Sequence, residues 1–450
     1  MNIDSAFKPI YEYYTDFLKK VEKSKQSAPL LIALERNDGF VYRFDTAVYE
    51  DGVHDIENST FTERLIKTLL WIVGGYKIYL HAPATLFTRM KKAFAAGGKR
   101  EFDAAFMARI YENPFTVVYR SALDMPDALE SGISLGGNYN GCRIGFDAGG
   151  SDRKVSAVLN GNVVFSEETV WNPKTTNDYR YHYDGILDSI KKAAAYLPRV
   201  DCIGVSSAGV YVNNRTMTAS LFKKVQDEKP EDFEAHIKNI YIDIAKVFNT
   251  KVEVANDGDV AALAGAIDLN DNRVLGIAMG TSEAGGYIDE NGNIKGWLNE
   301  LAFVPVDLQK DGAVCEWSGD KGCGVKYFSQ DAVIRLAEGA KIKLDPKAVT
   351  PAQKLKYIQE RYHSDPKIEK IFEDIGEYFG WSILWYGLFY DIKYVLLLGR
   401  VSSGPGGNVI RKKAGEILAA HKKSVIIELP DESNRRVGQA IAAASLPRAT

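Results

Sequence analysis

The chain has 450 residues, 46% hydrophobic and 26% charged, which is an ordinary globular balance and a length that calls for two or three domains. A formal net charge of -3 gives no support to a nucleic-acid partner, and 4 cysteines are too few for a disulfide scaffold, so a reducing, cytoplasmic setting is expected. The start Met1-Asn-Ile-Asp-Ser lacks a signal sequence, and the most apolar stretch, Trp381 to Tyr390, is too short for a bilayer; it reads as a buried helix, and no membrane association is expected.

Residues 1–140 read as an α/β segment of their own. Tyr11, Tyr14, Phe17, Leu18 and Val21 have helical spacing over Ile10 to Lys25. Leu30 to Val48 reads as a hairpin around Asn37-Asp38-Gly39. Thr60-Phe-Thr-Glu63 has the form of a capping box opening a helix Arg64–Val73, which stops at Gly74-Gly75. Tyr76 to His81 is a short strand, and Pro83 suits the first turn of a helix that Gly97-Gly98 ends. The glycine-rich run Ser131 to Gly141 reads as a linker.

Beyond the linker one pattern occurs twice. The first copy is Arg143-Ile-Gly-Phe-Asp147-Ala-Gly149-Gly150-Ser151, a strand Lys154 to Leu159, and Asn160-Gly161. The second is Val274 to Met279, Gly280-Thr281-Ser282, Gly285-Gly286-Tyr-Ile, and Asn291-Gly292. Each is an apolar strand, a small-residue loop with a hydroxyl, a second strand and an Asn-Gly hairpin turn. Glycines let a backbone approach a ligand, and successive N–H groups can nest phosphate oxygens, so two such loops suggest a nucleotide clamped between two related lobes.

Between the copies come a strand Val164–Val170, a helix Tyr183–Leu197, a strand Cys202–Val205, a helix Asp232–Phe248, a strand Lys251–Val254 and a helix Val260–Ala266. After the second copy come a strand Tyr394–Leu398, a helix Asn408–His421, a strand Ser424–Glu428 and a helix Val437–Ala444. This order predicts an α/β fold with a mixed sheet in each lobe. The expected divisions are 1–140, 141–270 and 271–450.

Three glycine loops and one acidic segment carry the chemistry. To the two repeat loops is added Gly399-Arg-Val-Ser-Ser-Gly404-Pro-Gly406-Gly407, which follows an apolar strand and precedes a helix, an order that suits a nucleotide at a helix N-terminus. Asn256-Asp257-Gly-Asp259 lies between a strand and a helix, at the carboxyl end where α/β proteins place functional groups. Asp257 and Asp259 equally suit the N-cap role, and Glu300 equally suits a solvated loop. Ser206-Ser207-Ala208-Gly209 ends a strand, as a tight turn or a sugar contact. Trp317, Trp381 and Trp385 read as core.

The stretch from about 143 to 446 resembles the ROK family of sugar kinases and regulators, within the actin/hexokinase ATPase fold. The family's Asp-x-Gly-Gly-Thr loop is matched by Asp147, Gly149, Gly150 and Ser151. Its Gly-Thr-Gly-x-Gly-Gly loop is matched by Gly280, Thr281, Gly285 and Gly286, with Ser282 and Glu283 inside. Its Asn-Asp-x-x-x-Ala-Ala segment is matched by Asn256, Asp257, Ala261 and Ala262, and its late glycine loop by Gly399 to Gly407. The resemblance implies two duplicated ribonuclease H-like (actin-like ATPase) lobes after the N-terminal α/β segment, and ATP-dependent phosphorylation of a sugar or amino-sugar hydroxyl.

In that scheme Asp257 takes the hydroxyl proton as general base, and Asn256, Asn299, Glu300 and Ser207 bind the sugar. Asp147, Gly149, Gly150, Ser151, Gly280, Thr281, Ser282, Gly399, Gly404, Gly406 and Gly407 bind ATP, and Asp147 orients Mg²⁺ through water. A homodimer is implied. The chain departs from the family at Phe303, where zinc-binding members have His, and at Trp317, where they have the middle cysteine between Cys315 and Cys323. No zinc site is therefore expected. Asp152 adds a carboxylate beside the first loop, tolerable where it meets a cation. The alternative function is a non-catalytic sugar or nucleotide sensor of the same fold.

Overall fold

The structure is a computed structural model that describes residues 3–130, 135–430 and 432–448, with the backbone only at 432–437. Of the expected linker Ser131–Gly141, residues 131–134 lie outside the described residues. In the remainder, Gly136 N–H and the Asn138 side chain are hydrogen-bonded to the chain end at Ser445 and Leu446.

The chain opens with helix α1 (Ile10–Ser24), which buries Ile10, Tyr14, Phe17 and Val21 on one stripe. Strands β1 (Ser27–Glu35) and β2 (Val41–Tyr49) pair antiparallel from Ser27↔Tyr49 to Glu35↔Val41 around a turn with Asp38 at φ 58° and Gly39 at φ 74°. Helix α2 runs Asp55–Ile72 rather than starting at Arg64. Thr60 and Glu63 lie inside it: Thr60 Oγ1 donates back to the Ile56 carbonyl, and Glu63 pairs with Arg100 at 2.5 Å, so neither caps the helix. Strand β3 (Lys77–His81) and helices α3 (Ala84–Ala93) and α4 (Glu101–Tyr111) follow, then strand β4 (Thr116–Tyr119). The last two had no clear signal in the sequence. The sheet order is β2-β1-β3-β4, with β4 parallel to β3.

Next come β5 (Cys142–Ala148), β6 (Asp152–Leu159), β7 (Asn162–Val170), α5 (Tyr179–Ala194), β8 (Cys202–Ser207), β9 (Val210–Val212) and β10 (Arg215–Thr218). The short helices α6 (Lys223–Glu228) and α7 (Pro230–Asp232) lead through a π-helical turn at Phe233–Ile237 to α8 (Ile240–Val247), so the expected helix Asp232–Phe248 is broken. Strand β11 (Lys251–Asn256) and helix α9 (Asp257–Leu269) complete this part. The sheet order is β11-β8-β5-β6-β7: β5, β6 and β7 form an antiparallel meander, while β5, β8 and β11 are parallel. Asn160 and Gly161 have φ 49° and 83°, the positive pair that a type I′ turn demands.

The second copy of the pattern is β12 (Val274–Met279) and β13 (Glu283–Ile288), closed by a single bridge Ile288↔Ile294 instead of a third strand. Then follow α10 (Gln330–Gly339), α11 (Pro351–Glu360), α12 (Pro366–Tyr386), β14 (Tyr394–Leu398), α13 (Pro405–Ala420), β15 (Ile426–Glu428) and α14 (Glu432–Ala444). The sheet order here is β13-β12-β14-β15. Trp385 is buried in α12, whereas Trp317, expected in a core, is 65% exposed because it sits on the turn between Cys315 and Asp320.

The chain divides into two compact units. Unit 1 comprises residues 1–131, 277–285 and 296–429; unit 2 comprises 132–276, 286–295 and 430–450. Within unit 2, α14 lies directly on β5 and β8. A Cβ at Gly145 would stand 1.9 Å from the Ala440 carbonyl oxygen, and one at Gly204 would stand 1.7 Å from that of Ala443. Among the described residues no helix is long and apolar enough to cross a membrane.

The core of unit 2 also holds His182 of α5, fully buried against Trp171 and Phe222. Burial pushes its pKa down to about 4, only partly opposed by the Thr176 backbone and Asp178. Unfolding returns the imidazole to its ordinary value near 6.5, so the unfolded chain binds the extra proton between those limits. The stability associated with neutral His182 is complete above about pH 6.5 and lost as the pH falls toward 4. At pH 5 the loss is about 2 kcal/mol relative to pH 7. Denaturant titrations at the two pH values should show it, and His182→Leu should flatten that part of the pH dependence.

Candidate active site

The parallel strands of unit 2 bring its candidate residues to one edge. In register, Asp147 on β5 stands beside Ser206 on β8, and Ser207 beside both Ala148 and Asn256 of β11. Asp147, Ser207, Asn256 and Asp257 therefore share the carboxyl end of β5, β8 and β11, the usual location of ligands in open α/β sheets. Ser206 Oγ donates to Asp147 Oδ1 at 2.8 Å. Ser207 is fully buried, and its Oγ accepts from Tyr211 at 2.6 Å and Tyr241 at 3.0 Å. Those two tyrosines were not singled out in the sequence, because β9 and α8 reach Ser207 only through folding.

Asn256 is the side-chain N-cap of α9: its Oδ1 accepts from Gly258 N–H at 2.8 Å, while its Nδ2 donates to the Gly209 carbonyl at 2.8 Å. With that task filled by Asn256, Asp257 is half-buried at the first helical position, its Oδ1 3.0 Å from Gly258 N. Asp259 turns inward instead and accepts from the Tyr287 backbone at 3.1 Å.

The first glycine loop is held from β7. Trp171 Nε1 donates to the Gly149 carbonyl at 2.8 Å, and Trp171 N–H to that of Ser151 at 3.1 Å. Asp152 meets a cation, Lys154, at 3.4 Å, and the same ammonium lies 3.9 Å from Asp147. The exposed Lys174 also reaches this loop, its Nζ 3.3 Å from where a Cβ on Gly150 would stand. It lies far along the chain from the motif, in a turn with no pattern to mark it.

Unit 1 carries the remaining loops. Gly280 N–H donates to the Ser282 carbonyl at 2.9 Å, and Gly280 O accepts from Gln330, leaving Thr281 and Ser282 exposed. Gly399 has φ 94° and lies on the Met279 backbone, where a Cβ would come within 2.4 Å of its carbonyl oxygen. The second and third loops thus adjoin. Gly404 and Pro405 open α13, with Gly406 against the Phe372 ring and Gly407 against the Ser402 carbonyl.

Asn299 and Glu300 are positioned by α2. Leu298, Asn299 and Glu300 donate their N–H groups to the carbonyls of Val73, Ile72 and Trp71 at 3.3, 2.9 and 2.9 Å, so the end of the helix is satisfied by this segment. The Asn299 side chain accepts from Tyr390 at 2.8 Å. Phe303, where the resemblance puts the His of zinc-binding members, stacks on Trp71 with centroids 4.2 Å apart, and Phe102 adjoins both. Trp71 Nε1 in turn donates to Asp103 at 2.6 Å.

Next to this stack is a buried ion cluster. Arg64, Lys67 and Arg100 lie 2.8, 2.9 and 2.7 Å from Asp320 on the Cys315–Cys323 turn, and Lys67 and Arg100 also pair with Asp103. Burial alone would raise Asp320, but the Arg100 hydrogen bonds and the charges of Lys67 and Arg64 hold it well below the usual carboxylate range. Cys315 and Cys323 are buried free thiols, with Ser318 Oγ 3.9 Å from Cys323 Sγ.

Residues 143–448 match the ROK family, and the chain belongs to that family. Residues before 143 lie outside the match. The ROK hexokinase from Thermus thermophilus is 17% identical, aligning over 67% of this chain and 97% of its own with a TM-score of 0.53. A ROK-family transcriptional regulator, homologous to the E. coli MLC protein, is 16% identical over 68% of this chain and 79% of its own, with a TM-score of 0.51. No curated protein matches the chain. The mixed α/β fold is that of the ROK actin-like ATPases, preceded here by an additional N-terminal segment.

Removing Asp320 would leave three buried cations facing two carboxylates. Asp320→Asn should therefore lower stability by about 3 kcal/mol or more, the usual result of breaking a buried pair from one side. Urea unfolding at pH 7 checks this.

Proposed function

We propose that the chain is an ATP-dependent kinase of a sugar or amino-sugar hydroxyl, with Asp257 as general base. The observation that carries this is the position of Asp257: half-buried, next to the N-cap Asn256, at the strand edge that also bears Asp147. Phosphoryl transfer depends on positioning and charge neutralisation, and a carboxylate within reach of the acceptor hydroxyl supplies the base. Asn256, Ser207, Asn299 and Glu300 are assigned to the sugar side, with Ser207 acting through the backbone it braces because its hydroxyl is buried.

The loops at Gly149–Ser151, Gly280–Ser282 and Gly399–Gly407 are assigned to ATP, and Lys174 to its phosphates. Mg²⁺ fits Asp147 through water: one oxygen is engaged by Ser206, and a single carboxylate is no protein cage. A bound Mg²⁺ would neutralise phosphate charge, while this chain's residues hold the acceptor and remove its proton. The assembly proposed from family membership is a homodimer, in the cytoplasm.

The second function in view is a sugar or nucleotide sensor without turnover. It is favoured by Phe303, which is committed to the Trp71 stack and offers no hydrogen bond to a sugar.

ADP release with ATP and Mg²⁺ across hexoses, amino sugars, their acetylated forms and pentoses separates the two. A kinase should show sugar-dependent turnover that falls about 10²-fold or more in Asp257→Asn, with ATP binding retained. Sugar binding without turnover in the wild type would leave the sensor.

A further inference from the structure

Glu283 opens β13 directly after the Gly280–Ser282 loop and is 4% exposed. Neither of its carboxyl oxygens makes a hydrogen bond. Tyr386, at the end of α12 and fully buried, feels the charge of Glu283, and its hydroxyl is likewise without a hydrogen-bond partner. Glu300, which is half-buried, is the second carboxylate whose charge acts on Glu283.

A glycine makes room for the Glu283 head. A Cβ on Gly324 would stand 2.3 Å from Glu283 Oε2 and 2.7 Å from the Leu301 carbonyl oxygen. The Glu283 carboxylate and the Leu301 carbonyl oxygen thus lie on either side of one glycine in unit 1, Tyr386 feels the Glu283 charge, and the charge acting on Glu283 is that of another acid. Burial, with the Glu300 charge added, pushes the Glu283 carboxyl well above the usual range.

A buried carboxyl group in this state takes up either a proton or a cation. A proton alone leaves the second oxygen of Glu283 and the Tyr386 hydroxyl unbonded, whereas a cation ligated by oxygens engages them together. Mg²⁺ retains several waters and demands a near-octahedral shell, which a carboxylate only 4% exposed is poorly placed to complete. A monovalent cation gives up its water more readily.

We propose that Glu283, Glu300, Tyr386 and the Leu301 carbonyl form a binding site for a monovalent cationic group, supplied either by an alkali or ammonium ion or by the protonated amine of the acceptor. The second source rests on the kinase function and would make free amino sugars the substrate class; the first does not depend on it.

The test is thermal unfolding of the full chain as wild type, Glu283→Gln and Tyr386→Phe. Salts are compared at constant ionic strength as choline chloride, KCl and NH4Cl. Sugars are compared as glucosamine hydrochloride, N-acetylglucosamine and glucose. In the wild type, KCl or NH4Cl over choline chloride, or glucosamine over the two neutral sugars, should raise the apparent Tm by about 2 °C or more. That rise should vanish in Glu283→Gln and shrink in Tyr386→Phe.

A salt response assigns the site to a free ion, and a response to glucosamine alone assigns it to the acceptor amine. A wild type indifferent to both, or a Glu283→Gln protein that responds as the wild type does, overturns the site. A salt response without sugar-dependent ADP release keeps the site while removing the kinase.

Discussion

Unit 1 depends on the neutralisation of a few buried charges. Arg64, Lys67 and Arg100 are almost inaccessible, and cations so placed are tolerated only when matched. Asp320, Asp103 and Glu63 match them one for one. The partners come from α2, from α4 and from the Cys315–Cys323 turn, so the charge balance also fixes where α2 lies. The final carbonyls of α2 then receive the N–H groups of Leu298, Asn299 and Glu300. The backbone that presents Glu300 is therefore set by a helix outside the family match.

Two departures of this chain from its family are physically one. Phe303 in place of His would be an unexplained loss in a chain lacking residues 1–131. Here its ring lies on Trp71, and Trp71 belongs to that additional segment. Aromatic stacking and ion pairing hold the stretch from Phe303 to Cys323, where zinc-binding members, by the resemblance, use a metal. The exposed Trp317 fits the same account, since the turn it decorates is anchored from beneath by Asp320.

The local features were legible in the sequence because their physics is local. Asn160-Gly161 needs two positive φ values, the glycine loops need close backbone approach, and Asn256-Asp257 sits where a strand becomes a helix; each can be seen within a few residues. The start of α2 was missed because Thr60 and Glu63 imitate a cap while their side chains bond elsewhere. The helix around Phe233 was read as continuous because a π-helical turn keeps the apolar spacing. Tyr211, Tyr241 and Lys174 carry no motif, and Glu283 stands in the second loop only as an unmatched residue; their significance comes from what tertiary packing places beside them.

The interleaving of the two units has a consequence for synthesis. Helix α14, which lies on β5, β8 and α9 within unit 2, comes after the later segments of unit 1 in the chain. On the ribosome, the sheet of unit 2 emerges early but stays open along the faces of Gly145 and Gly204 until α14 has been made. Apolar strand surface must therefore wait uncovered while the later segments of unit 1, residues 277–285 and 296–429, are made. A chain truncated just before α14 would have no means of closing that sheet.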